Sequence, residues 1–297
     1  MPPVVTKKQT LLADLGLVYA AAIWGSTFFI VKGALDGIDP IIMVAYRFLL
    51  AGAVLIPFLL WTKRNLFKGL GRAFFLSIIL WALYASQTLG LKYTTASNSG
   101  FITGLFVFFT PVFLYAIFKR RPTVMEIVAS AVSLFGLWIL TGGMEEINIG
   151  DALTLVAAMT YALHVLYSDK YMKMEIDPYV ISCQQFIMVG LLSLVTGLVA
   201  GLDFVVYTRE ALLATIFLAL FPSLSAFLIQ MLAQRITSPL KVSLIFALEP
   251  VFAALFAWTL GGEQFIMHRA TGGLLIFFAL ILSGLPPGKA KPKPLDS

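Results

Sequence analysis

Long apolar runs separated by short polar connections dominate the pattern of this chain. Crossing the roughly 30 Å hydrocarbon core of a bilayer takes about 20 helical residues, and each run approaches that length. Apolar and polar positions do not alternate with a period of two, and backbone groups in lipid must be hydrogen-bonded internally. The pattern therefore predicts an all-α integral membrane protein with ten transmembrane helices, at residues 12–32, 40–61, 73–91, 96–118, 124–142, 151–169, 178–201, 211–233, 240–260 and 267–285.

The ten segments form two sets of five whose landmarks recur in order. Asp39-Pro40 precedes the second segment and Asp177-Pro178 the seventh, while Pro111-Val112-Phe113 returns as Pro250-Val251-Phe252. Five is an odd number, so the second set must enter the membrane from the opposite side, as in inverted-repeat transporters. We expect two inverted five-helix repeats at 12–142 and 151–285, an external linker at 143–150, and cytoplasmic tails at 1–11 and 286–297, the last basic and proline-rich.

Charge distribution predicts the orientation of the chain. Charged residues make up only 12% and hydrophobic residues 60%, against about 25% charged in soluble proteins. Most of the 21 lysines and arginines fall on one side of the ten predicted helices, and the positive-inside rule places that side, with both termini, in the cytoplasm. The net charge of +6 is thus explained by orientation in a lipid bilayer, and no nucleic-acid partner is expected.

Arg47 is the most unusual residue, because it lies about two turns inside the second segment. A charge at the centre of a membrane helix costs roughly 2.5–3.5 kcal/mol on insertion scales. An interior Arg47 would pair with a carboxylate, backbone carbonyls or an anionic group of a substrate, and a structural or gating role is the alternative. Gln185 occupies the equivalent position of the second repeat, so the charge belongs to one repeat only.

Glu249 is the carboxylate well inside a segment, directly before Pro250. Proline removes a backbone hydrogen bond, so the carbonyl of Phe246 loses its usual donor. A protonated Glu249 could satisfy that carbonyl, or it could carry protons during transport. Because Pro111 and Pro250 stand in register in the two repeats, we expect them to mark hinges, although simple packing kinks are the alternative.

Polar and aromatic side chains share helical faces. Trp81 and Tyr84 are spaced i, i+3 on the third segment with Gln87 beside them, and Tyr161 and His164 have the same spacing on the sixth. Such faces line a substrate cavity or supply hydrogen bonds between helices. Together with Gln185 and Ser223 the set favours a cavity.

Enzyme and cofactor chemistry is not indicated. The sequence has no paired His/Cys cluster, no Walker sequence and no Gly-x-Gly-x-x-Gly after a strand. We therefore expect no cofactor, no metal site and no catalytic residues.

Four motifs resemble those of the drug/metabolite transporter superfamily, EamA type. They are Ile23-Trp24-Gly25-Ser26-Thr27-Phe28, Tyr46-Arg47-Phe48-Leu49-Leu50-Ala51, the stretch from Tyr93 to Leu105, and Leu248-Glu249-Pro250-Val251-Phe252. The resemblance covers essentially the whole chain. It implies a ten-helix carrier in the bacterial inner membrane with a central cavity, and it adds Trp24, Asn98 and Thr103 to the expected cavity residues.

These observations predict a monomeric secondary transporter, an exporter or facilitator of a small neutral or zwitterionic metabolite such as an amino acid, working by alternating access. The alternative is a proton-coupled multidrug or toxic-compound exporter that uses Glu249, so protons remain a candidate second partner. An intramembrane enzyme would need converging acid, base or metal-binding residues. A non-transporting scaffold would have no need of a duplicated, two-state design.

Overall fold

The computed structural model describes residues 6–141, 148–174, 176–259 and 265–283, and within these ranges the regular structure is entirely helical. The helices are α1 (Lys7–Ala34), α2 (Pro40–Trp61), α3 (Leu70–Tyr93), α4 (Ala96–Gly104), α5 (Phe106–Ala116), α6 (Val124–Thr141), α7 (Ile149–Met172), α8 (Pro178–Val199), α9 (Arg209–Leu218), a π-helical segment (Ala219–Ala226), α10 (Phe227–Ala233), α11 (Pro239–Phe246), α12 (Glu249–Thr259) and α13 (Met267–Ser283).

The ten predicted segments are confirmed as helical in the described part of the chain. Nine stretches there are long and apolar enough to cross a membrane, and α13 contributes a shorter apolar stretch, Ala270–Leu282. Two segments are interrupted by a turn: the fourth comprises α4 and α5, and the ninth comprises α11 and α12. The eighth runs without a break through α9, the π-helical segment and α10. The fold is a multi-pass helical bundle.

Local sequence signals explain where several helices begin. Asp39 Oδ1 accepts a hydrogen bond of 2.8 Å from the backbone N–H of Ile41, and Asp177 Oδ1 accepts one of 3.0 Å from that of Tyr179. A proline follows each aspartate at the first helical position, where its missing N–H costs nothing. Both Asp-Pro pairs are therefore N-terminal caps of α2 and α8.

Two helix starts differ from the sequence prediction. α1 begins at Lys7, inside the predicted 1–11 tail, because Thr6 and Gln9 form a reciprocal capping box. α7 begins at Ile149, inside the predicted 143–150 linker, where Asn148 and Asp151 cap it in the same way. Most of that linker and the whole 286–297 tail lie outside the described residues.

The helices pack in defined pairs. α2 packs along α8, α6 along α13 and α3 along α7, while α1 packs against α12, α10 and the π-helical segment. α2 and α8 approach closely at two glycines: a Cβ on Gly52 would lie 2.5 Å from Ile187, and one on Gly190 would lie 2.5 Å from Leu49. Small residues at helix crossings allow such close packing in membrane bundles.

The centre of the bundle is built from aromatic rings. Phe48 and Phe186, both fully buried, lie 5.9 Å apart across the α2–α8 pair, and Phe227 lies 5.2 Å from Phe186. Tyr84 meets Phe48 edge to face at 4.8 Å, a favoured aromatic geometry. These contacts join the two halves of the chain.

The breaks in the fourth and ninth segments do not lie at the same distance from their prolines. In the ninth, α12 starts at Glu249 with Pro250 in its first turn. In the fourth, the break is at Leu105, whose N–H bonds to Ile102 at 3.1 Å, and Pro111 lies inside α5. A helix therefore starts beside Pro250 but not beside Pro111, and the hinge role expected of the two prolines stays a prediction. The i→i+3 bond at Leu105 ends α4 by a local tightening of the helix.

Ion pairs join helix ends on one side of the bundle. Arg64, just after α2, pairs with Asp177, which caps α8, and its guanidinium stacks 4.7 Å over the Tyr179 ring. Lys241 near the start of α11 lies 2.7 Å from Asp14 near the start of α1. The Arg64–Asp177 pair shows that the end of α2 lies beside the start of α8. This is the arrangement expected for two antiparallel helices.

Candidate functional site

A small, partly open cavity of about 30 Å³ lies inside the bundle. α1 and α3 contribute one set of walls, and α7, α10 and α12 contribute the other. Its lining residues are Trp24, Thr27, Phe28, Leu80, Leu83, Tyr84, Gln87, Tyr161, His164, Phe227, Gln230 and Glu249. The walls are thus mainly aromatic and aliphatic, with a few polar groups, which is the usual composition of a small-molecule site.

Glu249 is the acidic residue of this lining, and it stands at the first position of α12. Its Oε1 accepts a hydrogen bond of 2.6 Å from the Tyr161 hydroxyl, and the side chain is buried. The described residues place no lysine, arginine or histidine within ion-pairing distance of it. The bond to Tyr161, rather than one to the Phe246 carbonyl, orients the carboxyl group toward the cavity.

His164 is held by hydrogen-bond partners at both ring nitrogens. The amide NH₂ of Gln185 donates to the Ile181 carbonyl at 3.3 Å, which leaves Gln185 Oε1 facing His164 Nε2 at 2.9 Å. Because a carbonyl oxygen only accepts, Nε2 carries a proton and donates. The Ser168 hydroxyl lies 3.5 Å from Nδ1. These two partners fix the orientation of the histidine ring in the cavity lining.

Arg47 is buried beside the cavity and does not line it. Its Nε donates to Ser223 Oγ at 3.0 Å, and its guanidinium carbon lies 4.8 Å from the centre of the Tyr84 ring and 5.4 Å from that of Phe48. Its Nη2 has no hydrogen-bond partner. Tyr84 contacts both the cavity and the guanidinium, so a single aromatic ring links the two.

The π-helical segment brings two polar atoms to this region. The Trp24 indole donates to the Pro222 carbonyl at 3.0 Å, and the next residue, Ser223, receives Arg47. Pro222 cannot donate a backbone hydrogen bond, which favours a local departure from α geometry, and single π turns are frequent at functional sites. The segment therefore positions one cavity residue and one neighbour of the cavity.

Six of the predicted residues line the cavity, three contact that lining, and Ser223 is linked to it through Arg47. The lining set is Trp24, Tyr84, Gln87, Tyr161, His164 and Glu249. Thr103 accepts from Gln87 at 3.1 Å, Gln185 bonds to His164, and Arg47 lies over the Tyr84 ring while donating to Ser223. Trp81, Asn98, Pro111 and Pro250 are outside the lining; Asn98 is buried in α4, and the Trp81 indole N–H is buried without a partner.

Sequence reasoning missed the apolar part of the lining and one hydroxyl. Phe28 and Thr27 lie one turn from Trp24, Leu80 and Leu83 lie one turn from Tyr84 and Gln87, and Phe227 stands beside Gln230. Extending each polar face by one helical turn would have found the first four, since residues three and four apart share a face. Apolar character alone does not separate cavity, core and lipid-facing positions.

Comparison with known proteins places the chain in a family. The EamA-like transporter family profile matches residues 11–142 and again residues 148–285. An uncharacterized transporter of Archaeoglobus fulgidus is 32% identical over 278 residues, covering 93% of this chain and 87% of the relative. The uncharacterized inner membrane transporter YedA of Escherichia coli K12 is 25% identical over 283 residues, covering 92% and 91%.

One solved crystal structure, 17% identical, superposes with a TM-score of 0.78 over 92% of this chain and 96% of its own. At that identity the likeness concerns the fold. The family matches cover nearly the whole chain, and they agree with the apolar helical bundle and its internal cavity. This chain belongs to the EamA-like transporter family, and it is a membrane transporter.

Proposed function

We propose that this protein is a secondary transporter, an exporter or facilitator, that moves a small neutral or zwitterionic metabolite such as an amino acid by alternating access. The observation that carries the proposal is the internal cavity, whose walls come from both halves of the chain. A site between two halves can open to either side of a membrane when the halves tilt against each other.

Contacts between α2 and α8 support the inverted-repeat part of the proposal, with repeats at 12–142 and 151–285. Tyr46 donates its hydroxyl to the Phe204 carbonyl at 2.8 Å, and Gln184 donates its amide to the Leu66 carbonyl at 2.6 Å. Tyr46 and Gln184 are 138 residues apart, and so are Leu66 and Phe204. Exchanging the two halves therefore exchanges the two bonds, and the close contacts at the two glycines of this pair are reciprocal in the same way. A two-fold relation between antiparallel halves accounts for both.

The cavity lining supports a substrate with apolar and hydrogen-bonding parts. Tyr161, Trp24 and Phe28 supply aromatic surface, while the amides of Gln87 and Gln230 supply donors and acceptors. An amino acid with an apolar side chain has these two parts. Its ammonium group would fit near Glu249, since a carboxylate beside aromatic rings attracts an organic cation.

A second candidate function rests on the same carboxylate. Glu249 has no cationic partner among the described residues and faces aromatic rings, an arrangement that also suits a lipophilic cation exchanged for protons. The candidate is a proton-coupled multidrug or toxic-compound exporter. It differs from the first because Glu249 would have to release a proton in every cycle.

The proposal includes an orientation and a cellular place. The excess of basic residues on one side favours both termini in the cytoplasm, and the ion pairs of Arg64 with Asp177 and of Lys241 with Asp14 would then face the cytoplasm. The inner membrane is the proposed location, in keeping with the printed name of the Escherichia coli relative. A monomer suffices, because a single chain encloses the cavity. The hinges would be the helix breaks at Leu105 and beside Pro250, with Pro111 loosening α5.

Counterflow into proteoliposomes tests the proposal. Purified protein is reconstituted and tested with labelled L-amino acids and cationic dyes, with and without a proton gradient, alongside Glu249→Gln. The matched control is Glu210→Gln, which removes an exposed carboxylate from the first turn of α9. Counterflow of an amino acid that needs no proton gradient in the wild type, and that is weakened in Glu249→Gln because the contact with the ammonium group is lost, would support the metabolite carrier.

Movement of dyes that requires the gradient and is lost only in Glu249→Gln would instead establish the proton-coupled exporter. Movement of neither class in the wild type would reject both candidates.

A further inference from the structure

We infer that Arg47 binds a carboxylate, or a similar small anionic group, of the transported molecule, and that the Tyr84 ring separates it from the cavity in this conformation. The inference rests on the proposed function, because it names the substrate class of the proposed site. It makes Arg47 a determinant of specificity and predicts a zwitterionic rather than a purely cationic substrate.

The first argument is the absence of a counter-charge. Arg47 is 2% exposed, and the described residues place no carboxylate within ion-pairing distance of its guanidinium. Buried charges in proteins are normally paired, because removing an ion from water is strongly unfavourable. A permanently charged guanidinium without a protein anion is best explained by an anion that arrives with the substrate.

The second argument is the unused donor. Arg47 Nε donates to Ser223, whereas Nη2 is buried and donates to nothing. Guanidinium groups bind carboxylates through two parallel N–H bonds. The open Nη2 and an Nε that can exchange its Ser223 partner provide that pair of donors. The contact with Tyr84 is made through the ring and uses none of the N–H groups in a hydrogen bond.

The third argument is the position of Tyr84. Its ring lines the cavity on one side and contacts the guanidinium on the other, 4.8 Å from its central carbon. Rotation of the Tyr84 side chain, or a shift of α3 against α2, would connect the cavity with Arg47. The cavity would then present Glu249 to an ammonium group and Arg47 to a carboxylate, which matches the two charges of an amino acid.

A purely structural role of Arg47 would lead to a different experimental result. Its contacts with Ser223, Tyr84 and Phe48 would then serve to hold α2 against α3 and the π-helical segment. Loss of those contacts would impair transport of every substrate to the same degree. Loss of a carboxylate-binding group would impair only the substrates that carry a carboxylate.

The test compares each amino acid with its own carboxamide. Proteoliposome counterflow is measured with labelled L-leucine, L-phenylalanine and L-threonine and with the amide of each, for the wild type, Arg47→Gln and Arg47→Lys. Arg120→Gln is the control, since it makes the same substitution at an exposed residue. We expect the wild type to prefer at least one acid over its amide by about tenfold or more, because a charge-assisted bidentate bond is lost with the amide.

In Arg47→Gln the ratio of acid to amide counterflow should fall to about one, while counterflow of the amides persists. Arg47→Lys should keep part of the preference for the acids, and Arg120→Gln should keep all of it. An equal loss for acids and amides in Arg47→Gln would overturn the inference in favour of the structural role. If that variant does not elute as folded protein, an unchanged preference in Arg47→Lys would overturn it. Wild-type counterflow with no preference overturns this inference alone, whereas counterflow of no panel member overturns the proposed function and the inference with it.

Discussion

Replacing Gly25 by alanine should force α1 and α12 apart beside the cavity. Gly25 follows Trp24, and its Cα packs directly against the backbone at the start of α12. A Cβ at this position would lie 2.5 Å from the backbone oxygen of Glu249 and 3.0 Å from the backbone nitrogen of Ala253. Both atoms belong to the main chain, so no side-chain rotation can relieve the contact.

The size of the effect follows from opposing terms. Non-bonded carbon contacts settle at about 3.5–4.0 Å, so the two helices must separate by roughly 1 Å. Overpacking of this kind costs about 1–3 kcal/mol, whereas alanine gains about 1 kcal/mol over glycine in a helix. The net result is a destabilisation of up to about 2 kcal/mol, which corresponds to a fall in Tm of up to about 3 °C for a chain of this length. Glu249 would also shift relative to Tyr161, so transport should fall.

Thermal unfolding of detergent-purified protein, followed by the fraction that remains monodisperse, measures this effect. The control is Gly33→Ala on the same helix, where a new Cβ meets nothing within 4 Å. That variant should be as stable as the wild type or slightly more stable, because only the helix-propensity gain remains. If Gly25→Ala and Gly33→Ala unfold at the same temperature, the close α1–α12 contact is not a feature of the folded protein and the reasoning is refuted.

Two further predictions concern the ends of the helices. Because the Arg64–Asp177 ion pair joins α2 to α8, either Arg64→Asp or Asp177→Arg alone should lower the transport rate. Combining the two exchanges the charges and should restore part of that rate. A double variant that transports no faster than the slower single variant would contradict this prediction. In the loop before α9, the Tyr207 hydroxyl and then the Val205 N–H hold the pKa of Asp203 below its ordinary value. A depressed folded-state pKa stabilises the fold above the unfolded value of about 3.9, and that contribution is lost as pH falls through the folded value. Tyr207→Phe should therefore raise the pKa of Asp203 in a carboxyl-carbon NMR titration, and an unchanged titration would show that the hydroxyl is not bonded to it.

The membrane fold was predictable because its signals are local or compositional. Any helix across lipid must be long and apolar, so run length alone located the ten helical segments. Asp39 and Asp177 indicated helix starts, because a capping aspartate accepts hydrogen bonds from N–H groups only two or three residues away. Thr6 and Gln9 carry the same kind of signal, and reading that capping box would have placed the start of α1 correctly.

The helix breaks show the limit of a local signal. Pro250 coincides with the start of α12, but Pro111 continues inside α5 and the first-half break lies at Leu105. Proline removes one backbone donor wherever it stands, yet whether a helix ends there depends on packing against its neighbours. Similarly, Pro222 favours a local departure from α geometry, but no local signal predicts that the departure is a π-helical segment that meets Trp24 and Arg47.

Composition, run length and duplicated landmarks thus established an all-helical membrane protein and the residue types from which a cavity is built, because these properties depend on each residue and its near neighbours. Three contacts join residues far apart in the chain: the hydrogen bond of Tyr161 to Glu249, that of His164 to Gln185, and the packing of Arg47 against Tyr84. Such contacts arise only when the helices pack, because packing brings distant faces within hydrogen-bond distance and decides which polar groups remain without a partner.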